Sequence, residues 1–333
     1  MTKLRWLFCL LLATIISLPA LANENGTLRE RLRQRFENGE ANTTQDQNQN
    51  RPRGIMARRQ ANGDSDEFSM QDRRNAQVNV PGLQTAKNVR YGNGELQTFD
   101  VYYKQGLSNA PVIFMVHGGG WRMGDKEHNN VYVNKVNYWV PQGFVVMSVN
   151  YPMVPEADPY QQALEVAKAL AVAQKQAARW GADANRFILM GHSAGAHIVS
   201  LLSSNPKLAT AQGARLWPGT VSLDGAGLNI VEMMENRHMR LYDEAFGTDK
   251  ALWERASPFH QLTAEARPIL LACSSRRAIS CDQSRSFTTK AGSLGVTMQV
   301  LPEDKSHGDM NFYVGLPGDY TQKIDSYIKS LLN

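Results

Sequence analysis

The sequence from Phe187 to Ser203 reads FILMGHSAGAHIVSLLS. Its first four residues form a short apolar run typical of a buried parallel strand, and the residues from Ala194 onward form a helical stretch. Between them lies the pattern Gly-x-Ser-x-Gly, whose glycines permit a tight turn. Such a turn would lift the Ser193 hydroxyl clear of the sheet, beside the N–H groups at the start of a helix. A glycine-lined turn without chemistry is the alternative, but the strand–turn–helix context favours a nucleophile.

The rest of the chain from residue 78 alternates apolar runs with helical stretches. The predicted strands are 97–104, 112–116, 144–149, 187–190, 221–223, 269–272 and 297–301, and the predicted helices are 160–180, 194–203, 282–294 and 320–332. Such alternation indicates an α/β fold with a mostly parallel central sheet and helices on both faces. Residues 78–333 are enough for one domain of this class.

A second motif, HGGGW at residues 117–121, directly follows the predicted strand 112–116. Three consecutive glycines bring backbone N–H groups close to a ligand, which suits the oxyanion of an acyl-transfer reaction. A phosphate-binding loop is the competing use, but the Gly-Lys-Ser/Thr that completes a P-loop is missing. The motif therefore favours an oxyanion hole.

A third motif, Ser306-His-Gly-Asp309, follows the last predicted strand. A histidine on a loop after a strand suits the general base that activates a serine, so we predict this role for His307. The other six histidines lie where they suit the role of general base less well. No His/Glu or Cys/His spacing in the sequence is typical of a zinc site. We therefore expect neither a metal nor an organic cofactor.

The first 22 residues are typical of a cleaved signal peptide. Lys3 and Arg5 precede an apolar stretch at 7–18, and Ala20-Leu-Ala22 supplies the small residues of a cleavage site. A membrane anchor is the alternative, but the apolar stretch is too short to span a bilayer comfortably. We expect a periplasmic or secreted chain with no stable membrane insertion after cleavage.

Residues 23–77 are predicted to be a polar disordered arm or linker. Only 11 of these 55 residues are apolar, too few to offset the entropy of ordering the segment. The net charge of +5 would suit a nucleic-acid partner, but 3 of these charges belong to residues 1–77. Because residues 78–333 are close to neutral, we expect no nucleic-acid partner.

Together these motifs resemble the α/β-hydrolase fold, specifically its carboxylesterase-like branch with hormone-sensitive-lipase and feruloyl-esterase relatives. The resemblance is carried by GHSAG at 191–195, HGGGWRMGDK at 117–126, and YG at 91–92 followed by QTFDVYY at 97–103. It covers roughly residues 80–333.

The resemblance implies Ser193 as nucleophile and His307 as base. It places the oxyanion-hole donors at the N–H groups of Gly119, Gly120 and Ala194. It also implies a small cap after the sixth strand, inserted within 226–267, where several methionines and aromatic residues would either line an acyl pocket or pack as ordinary helices.

The acid is where the sequence departs from the family. The family usually carries Asp a few residues past the strand that is here 269–272, and alignment puts Arg277 at that position, where it cannot accept the imidazole N–H. Asp224, at the end of the preceding predicted strand, is the preferred substitute, and Asp282 is the alternative acid. Asp304 and Asp309 are weaker candidates.

Cys273 and Cys281 are the two cysteines that remain after signal cleavage. In an oxidising compartment we expect them to form a disulfide, which would close a tight loop and could re-aim Asp282.

The predicted function is that of an exported serine carboxylic-ester hydrolase, which acts through an acyl-enzyme on small-molecule or polysaccharide-linked esters. An amidase or formamidase with the same catalytic residues is the nearest alternative. A non-catalytic binding module on the same fold is the more distant one, and Arg277 is its only support.

Overall fold

An eight-stranded sheet forms the centre of the structure, a computed structural model that describes residues 75–333. Its order is β1-β2-β4-β3-β5-β6-β7-β8. Strands β1 and β2 run antiparallel to their neighbours and the other neighbouring pairs are parallel, which confirms the mostly parallel sheet. The strands are β1 (Leu83–Arg90), β2 (Thr98–Lys104), β3 (Ala110–Val116), β4 (Val145–Val149), β5 (Ala182–His192), β6 (Gly219–Leu223), β7 (Ile269–Ser274) and β8 (Met298–Glu303).

Helices cover both faces of this sheet. They are α1 (Asn129–Trp139), α2 (Pro159–Gln176), α3 (Ala194–Ser204), α4 (Lys207–Thr210), α5 (Ile230–Glu235), α6 (Arg240–Phe246), α7 (Lys250–Arg255), α8 (Ala278–Ser293), α9 (Asp309–Phe312) and α10 (Asp319–Leu332). In β3, Phe114 packs in the cluster that includes α2 and α3, whereas Met115 packs in the cluster that includes α1 and α10. Because successive side chains of a strand point to opposite faces, these two clusters lie on opposite sides of the sheet.

The predicted signal peptide at 1–22 lies outside the described residues, as does the predicted arm at 23–77 except for its last three residues. The described residues all belong to one compact unit, 65–333. Among residues 75–333, no helix combines the length and apolar character that crossing a bilayer requires.

The predicted cap is present as three short helices, α5, α6 and α7, between β6 and β7. Its side chains Met233, Phe246 and Trp253 are buried together with Trp121 and Ala194. Since this cluster is packed, the cap residues form a core rather than an open apolar lining, and Met239 is the exception at 55% exposed.

The carboxyl ends of β5, β6, β7 and β8 meet at one edge of the sheet because these neighbouring strands are parallel. The loops that follow them are therefore neighbours, and ligands of α/β sheets bind at such an edge.

Candidate active site

Ser193 stands alone between the last residue of β5 and the first residue of α3. Its φ of 56° and ψ of −118° are uncommon for a residue with a side chain. Its N–H donates to the carbonyl of Leu223 at 3.0 Å, which ties the turn to the end of β6. The turn predicted from the glycine pattern is thus sharp, and the neighbouring strand holds it.

Two glycines make this turn possible because backbone fills the space that their side chains would need. A Cβ at Gly191 would lie 2.3 Å from the carbonyl oxygen of Gly195, and a Cβ at Gly195 would lie 2.2 Å from that of Val116. Neither distance is tolerable for a carbon atom. Strand β5, helix α3 and the end of β3 therefore approach one another as closely as backbone allows.

His307 lies between β8 and α9 and reaches both Ser193 and Asp224. Its Nε2 is 3.0 Å from Ser193 Oγ, and its Nδ1 is 2.6 Å from Asp224 Oδ2. A carboxylate can only accept, so Nδ1 donates its proton to Asp224 and Nε2 is left to accept the proton of the serine hydroxyl. This is the order of contacts that a serine nucleophile, a base and an acid require.

Asp224 directly follows β6 and its side chain is fully buried. Burial alone would raise the pKa of this carboxyl. The hydrogen bond from His307, the positive charge of Arg277 and hydrogen bonds from Ser280 and the Ser274 N–H outweigh it. The pKa of Asp224 therefore lies well below its usual range, and the group is an anion at neutral pH.

Asp282, the alternative acid, does not lie at His307. It belongs to the second turn of α8, its side chain is 69% exposed, and it accepts from Arg285 at 2.9 Å. The expectation that a disulfide could re-aim Asp282 was therefore wrong. The weaker candidates are also engaged elsewhere, since Asp304 pairs with Arg276 and Asp309 accepts from Ser306.

The structure forms the expected disulfide between Cys273 and Cys281. Cys273 belongs to β7 and Cys281 to the first turn of α8, so the bond closes the eight-residue step between these elements. The loop it closes carries Ser274, Arg277 and Ser280, which all donate to Asp224.

Arg277 is a neighbour of the site that sequence reasoning regarded only as a defect. Its Nη1 donates to Asp224 Oδ2 at 2.5 Å and lies 2.7 Å from His307 Nδ1. The sequence showed that Arg277 follows β7, at the position where the family usually carries its acid. Its salt bridge to an acid on the neighbouring strand follows from the sheet order, which the sequence did not reveal.

The loop after β3 lies against the nucleophile. A Cβ at Gly118 would lie 2.9 Å from Ser193 Cβ, so only glycine permits this approach. Gly119 and Gly120 have φ angles of 125° and 61°, which favour glycine, and Trp121 follows at 60°. These angles turn the backbone sharply beside Ser193, where Ala194 begins α3. The geometry suits the predicted oxyanion hole of Gly119, Gly120 and Ala194.

Two buried histidines hold this loop in place. His117 is stacked on Tyr151 with 4.5 Å between ring centroids, and burial lowers its pKa to about 4. Trp121 Nε1 donates to His197 Nδ1 at 3.1 Å, so the other nitrogen of His197 donates to the carbonyl of Ala256 at 2.6 Å. His197 thereby connects the glycine loop to the end of the cap.

His192, one of the six histidines that the sequence favoured less than His307, holds the loop of the base. Its Nε2 donates to the backbone carbonyl of His307 at 2.9 Å, and the two rings lie 4.6 Å apart. Burial is the main reason that the pKa of His192 lies well below its usual value, and the nearby His307 lowers it further. Neutral His192 therefore fixes the loop of His307 without adding a charge.

Within residues 75–333, the structure brings together no group of three His, Cys, Asp or Glu residues that could hold a metal ion. The site instead contains Ser193, His307 and Asp224, which hydrogen bonds connect in this order.

Several proteins that resemble this chain are named esterases. The profile of the BD-FAE family matches residues 99–216. Esterase B of Lactobacillus rhamnosis superposes with a TM-score of 0.63 at 19% identity, over 91% of this chain and 95% of that one. The chain is an α/β-hydrolase. Its similarity to the BD-FAE profile and to named esterases supports the carboxylesterase-like branch of that family.

Two relatives of this α/β-hydrolase are named for different reactions. Isoprenylcysteine alpha-carbonyl methylesterase of Arabidopsis thaliana is 25% identical over 74% of this chain and 61% of its own. Kynurenine formamidase of Salmo salar is 30% identical over 36% of this chain and 39% of its own. The chain spans somewhat over half the length of the first curated relatives it matches.

Proposed function

We propose that this α/β-hydrolase is an exported serine carboxylic-ester hydrolase that works through an acyl-enzyme. The observation that carries the proposal is the continuous line of contacts from Ser193 Oγ through the two nitrogens of His307 to Asp224, at 3.0 Å and 2.6 Å. The esterase relatives and structural neighbours support the same chemistry.

The reaction begins when His307 Nε2 removes the proton of Ser193 and Oγ attacks the ester carbonyl carbon. The tetrahedral oxyanion accepts hydrogen bonds from the N–H groups of Gly119, Gly120 and Ala194. His307 then gives its proton to the leaving alkoxide, which departs as the alcohol and leaves the acyl group on Ser193. Water, deprotonated by the same imidazole, attacks the acyl-enzyme and releases the acid.

Asp224 supports each of these proton transfers without touching the substrate. Because it accepts from Nδ1, it fixes the imidazole tautomer in which Nε2 is free to accept. Its negative charge also stabilises the imidazolium that forms when Ser193 loses its proton.

The ester class is proposed from the relatives alone. They include esterases and, among solved structures, a carbohydrate esterase from gut microbiota at 16% identity with a TM-score of 0.63. Small-molecule esters and polysaccharide-linked acyl groups are therefore the substrates we propose. Leu241 of α6 lies close to Gly120, since a Cβ added there would be 3.5 Å from Leu241 Cδ1.

Hydrolysis of p-nitrophenyl esters of increasing chain length tests the activity. Wild type is expected to release p-nitrophenol, and Ser193→Ala to lose at least about a thousandfold in kcat because the nucleophile is gone. Ser293→Ala, at the exposed end of α8, is the matched control and should keep wild-type rates. Equal rates for wild type and Ser193→Ala would refute a serine mechanism. A burst of p-nitrophenol and a mass increase on Ser193 would identify the acyl-enzyme.

A formamidase is the second candidate, because the Salmo salar kynurenine formamidase is 30% identical to this chain over 122 residues. Comparing an aryl formamide with the p-nitrophenyl esters at equal concentration separates the two. A higher kcat/KM for the formamide would replace the ester proposal with this one.

Export is proposed from the signal-like residues 1–22 and is compatible with the disulfide, which an oxidising compartment favours. Cell fractionation followed by N-terminal sequencing tests it. We expect the extracytoplasmic protein to begin at Asn23. A full-length cytoplasmic protein would contradict export without affecting the esterase proposal.

A further inference from the structure

Three donors from one short loop surround the buried carboxylate of Asp224. The Ser274 N–H and the Ser280 hydroxyl donate to Oδ1 at 2.9 Å and 2.5 Å. Arg277 donates to Oδ2, the oxygen that also accepts from His307. Every lone pair that faces the protein is thus engaged, and the carboxylate has one orientation.

Arg277 differs from the other two donors because it brings a permanent charge to the base. Its Nη1 lies 2.7 Å from His307 Nδ1. Since Nδ1 already donates to Asp224, the guanidinium does not hydrogen-bond to the ring and acts on it only through its charge. The side chain is one-quarter exposed, so solvent weakens this charge without removing it.

Three titratable or charged side chains contact the His307 ring from neighbouring elements. Asp224 follows β6, Arg277 precedes α8, and His192 ends β5. Tyr242 of α6 and the buried Lys135 and Tyr320 interact with these neighbours rather than with the ring. Because burial keeps His192 neutral near pH 7, the charged groups in contact with the ring are Asp224 and Arg277.

We propose that Arg277 is a positioning residue of this site, which holds the Asp224 carboxylate in the orientation that accepts from His307 Nδ1. A guanidinium that donates to a buried carboxylate makes a charge-assisted hydrogen bond, which is stronger than one between neutral groups. The proposal rests on the esterase function, and it adds a residue on which the position of the catalytic acid depends.

¹H NMR of the His307 Nδ1 proton, which donates to Asp224, tests the proposal without turnover. Its resonance is assigned by its loss in His307→Gln. In Arg277→Gln the resonance is expected to move upfield, because the carboxylate loses one of the donors that orient it and the hydrogen bond from Nδ1 weakens. Arg277→Lys restores the charge and should return the resonance part of the way to wild type. Arg276→Gln removes an equal charge one residue away, where the partner is exposed Asp304, and should leave the resonance unchanged.

Steady-state kinetics of ester hydrolysis provide the second measurement. In Arg277→Gln kcat should fall about tenfold with KM nearly unchanged, because the acid is misplaced and the substrate site is intact. Arg276→Gln should keep the wild-type kcat. If Arg277→Gln is unfolded by circular dichroism, Arg277→Met, which keeps the aliphatic stem, replaces it. A resonance and a kcat that are the same in wild type and a neutral variant overturn the proposal. A shifted resonance in a protein that hydrolyses no ester would instead refute the esterase function alone.

Discussion

Ser193 and Asp224 both adopt positive φ angles, 56° and 50°, at the ends of the adjacent strands β5 and β6. Such a conformation costs on the order of 1–3 kcal/mol for a residue with a side chain, less for Asp than for most. It persists because the surrounding hydrogen bonds hold it: Ser193 N–H donates to Leu223, and Asp224 N–H donates to Ala272 at 2.7 Å. The two strained residues therefore belong to one hydrogen-bonded network that spans three strands.

At this scale the choice of acid has a direct test. Asp224→Asn is expected to lower kcat on the order of 10⁴, because the amide can donate to Nδ1 and favour the tautomer that cannot accept from Ser193. Asp282→Asn is the matched control and should change kcat less than about twofold, since it only removes an exposed pair with Arg285. Steady-state ester hydrolysis measures both. Similar losses in the two variants would show that Asp224 is not the acid.

Lys135 is a second residue with a measurable electrostatic role. It is fully buried in α1, where it donates to the carbonyl and side-chain oxygens of Asn311 in α9, and burial lowers its pKa to about 7. The unfolded chain keeps the ordinary lysine value near 10.5, so between these pH values the unfolded state binds more protons. The free energy of unfolding therefore rises with pH across this window.

The expected rise is about 1 kcal/mol per pH unit between pH 7.5 and 9.5 for the difference between wild type and Lys135→Met. Urea unfolding of both proteins at the two pH values measures it, and the variant cancels the contributions of other groups. Parallel pH dependence in the two proteins would show that Lys135 is charged in the folded state.

Among the elements, the central strands were predictable because each is a continuous apolar run buried on both faces. Strand β1 was missed because LQTAKNVR is mostly polar and exposed at the sheet edge. Helix α8 begins at Ala278, four residues before the predicted start at Asp282. The true start was missed because Arg277 provides no side-chain cap, so the sequence carries no start signal there. Helix α1 was missed for a similar reason, as His128 does not cap it.

The candidate site was predictable to the extent that each motif is local. Ser193, His307 and the glycine loop could be named from short patterns, and the structure brings them together with Asp224. The roles of Arg277, His192 and Ser280 depend on which strands are neighbours and on side-chain directions. Such long-range contacts leave no mark in a single sequence.

The disulfide-closed loop before α8 yields a prediction at the element scale. Replacing Cys273 and Cys281 by serine should lower the free energy of unfolding by roughly 2–3 kcal/mol, the value expected for a loop this short. Because the loop carries three donors to Asp224, kcat/KM should also fall, by about tenfold. Urea unfolding and ester hydrolysis measure the two effects. Unchanged kcat/KM with lowered stability would mean that the loop keeps its shape without the bond.

For the whole molecule, all the residues of the site lie within the unit 65–333. The described members of its core clusters on the two faces of the sheet all belong to that unit. Deleting residues 23–64 behind the signal peptide should therefore leave kcat/KM within about twofold and the melting temperature within a few degrees. A loss above tenfold would assign the deleted segment a part in the reaction.

The sheet order sets β7 between β6, which Asp224 follows, and β8, which precedes His307. In the family that this chain resembles, the acid usually follows β7, whereas here that place belongs to Arg277. Two neighbouring strand ends can thus serve one imidazole. Since β6 supplies the carboxylate, the strand end that lies between acid and base is left for a cation, which reaches both of them from the middle of the edge.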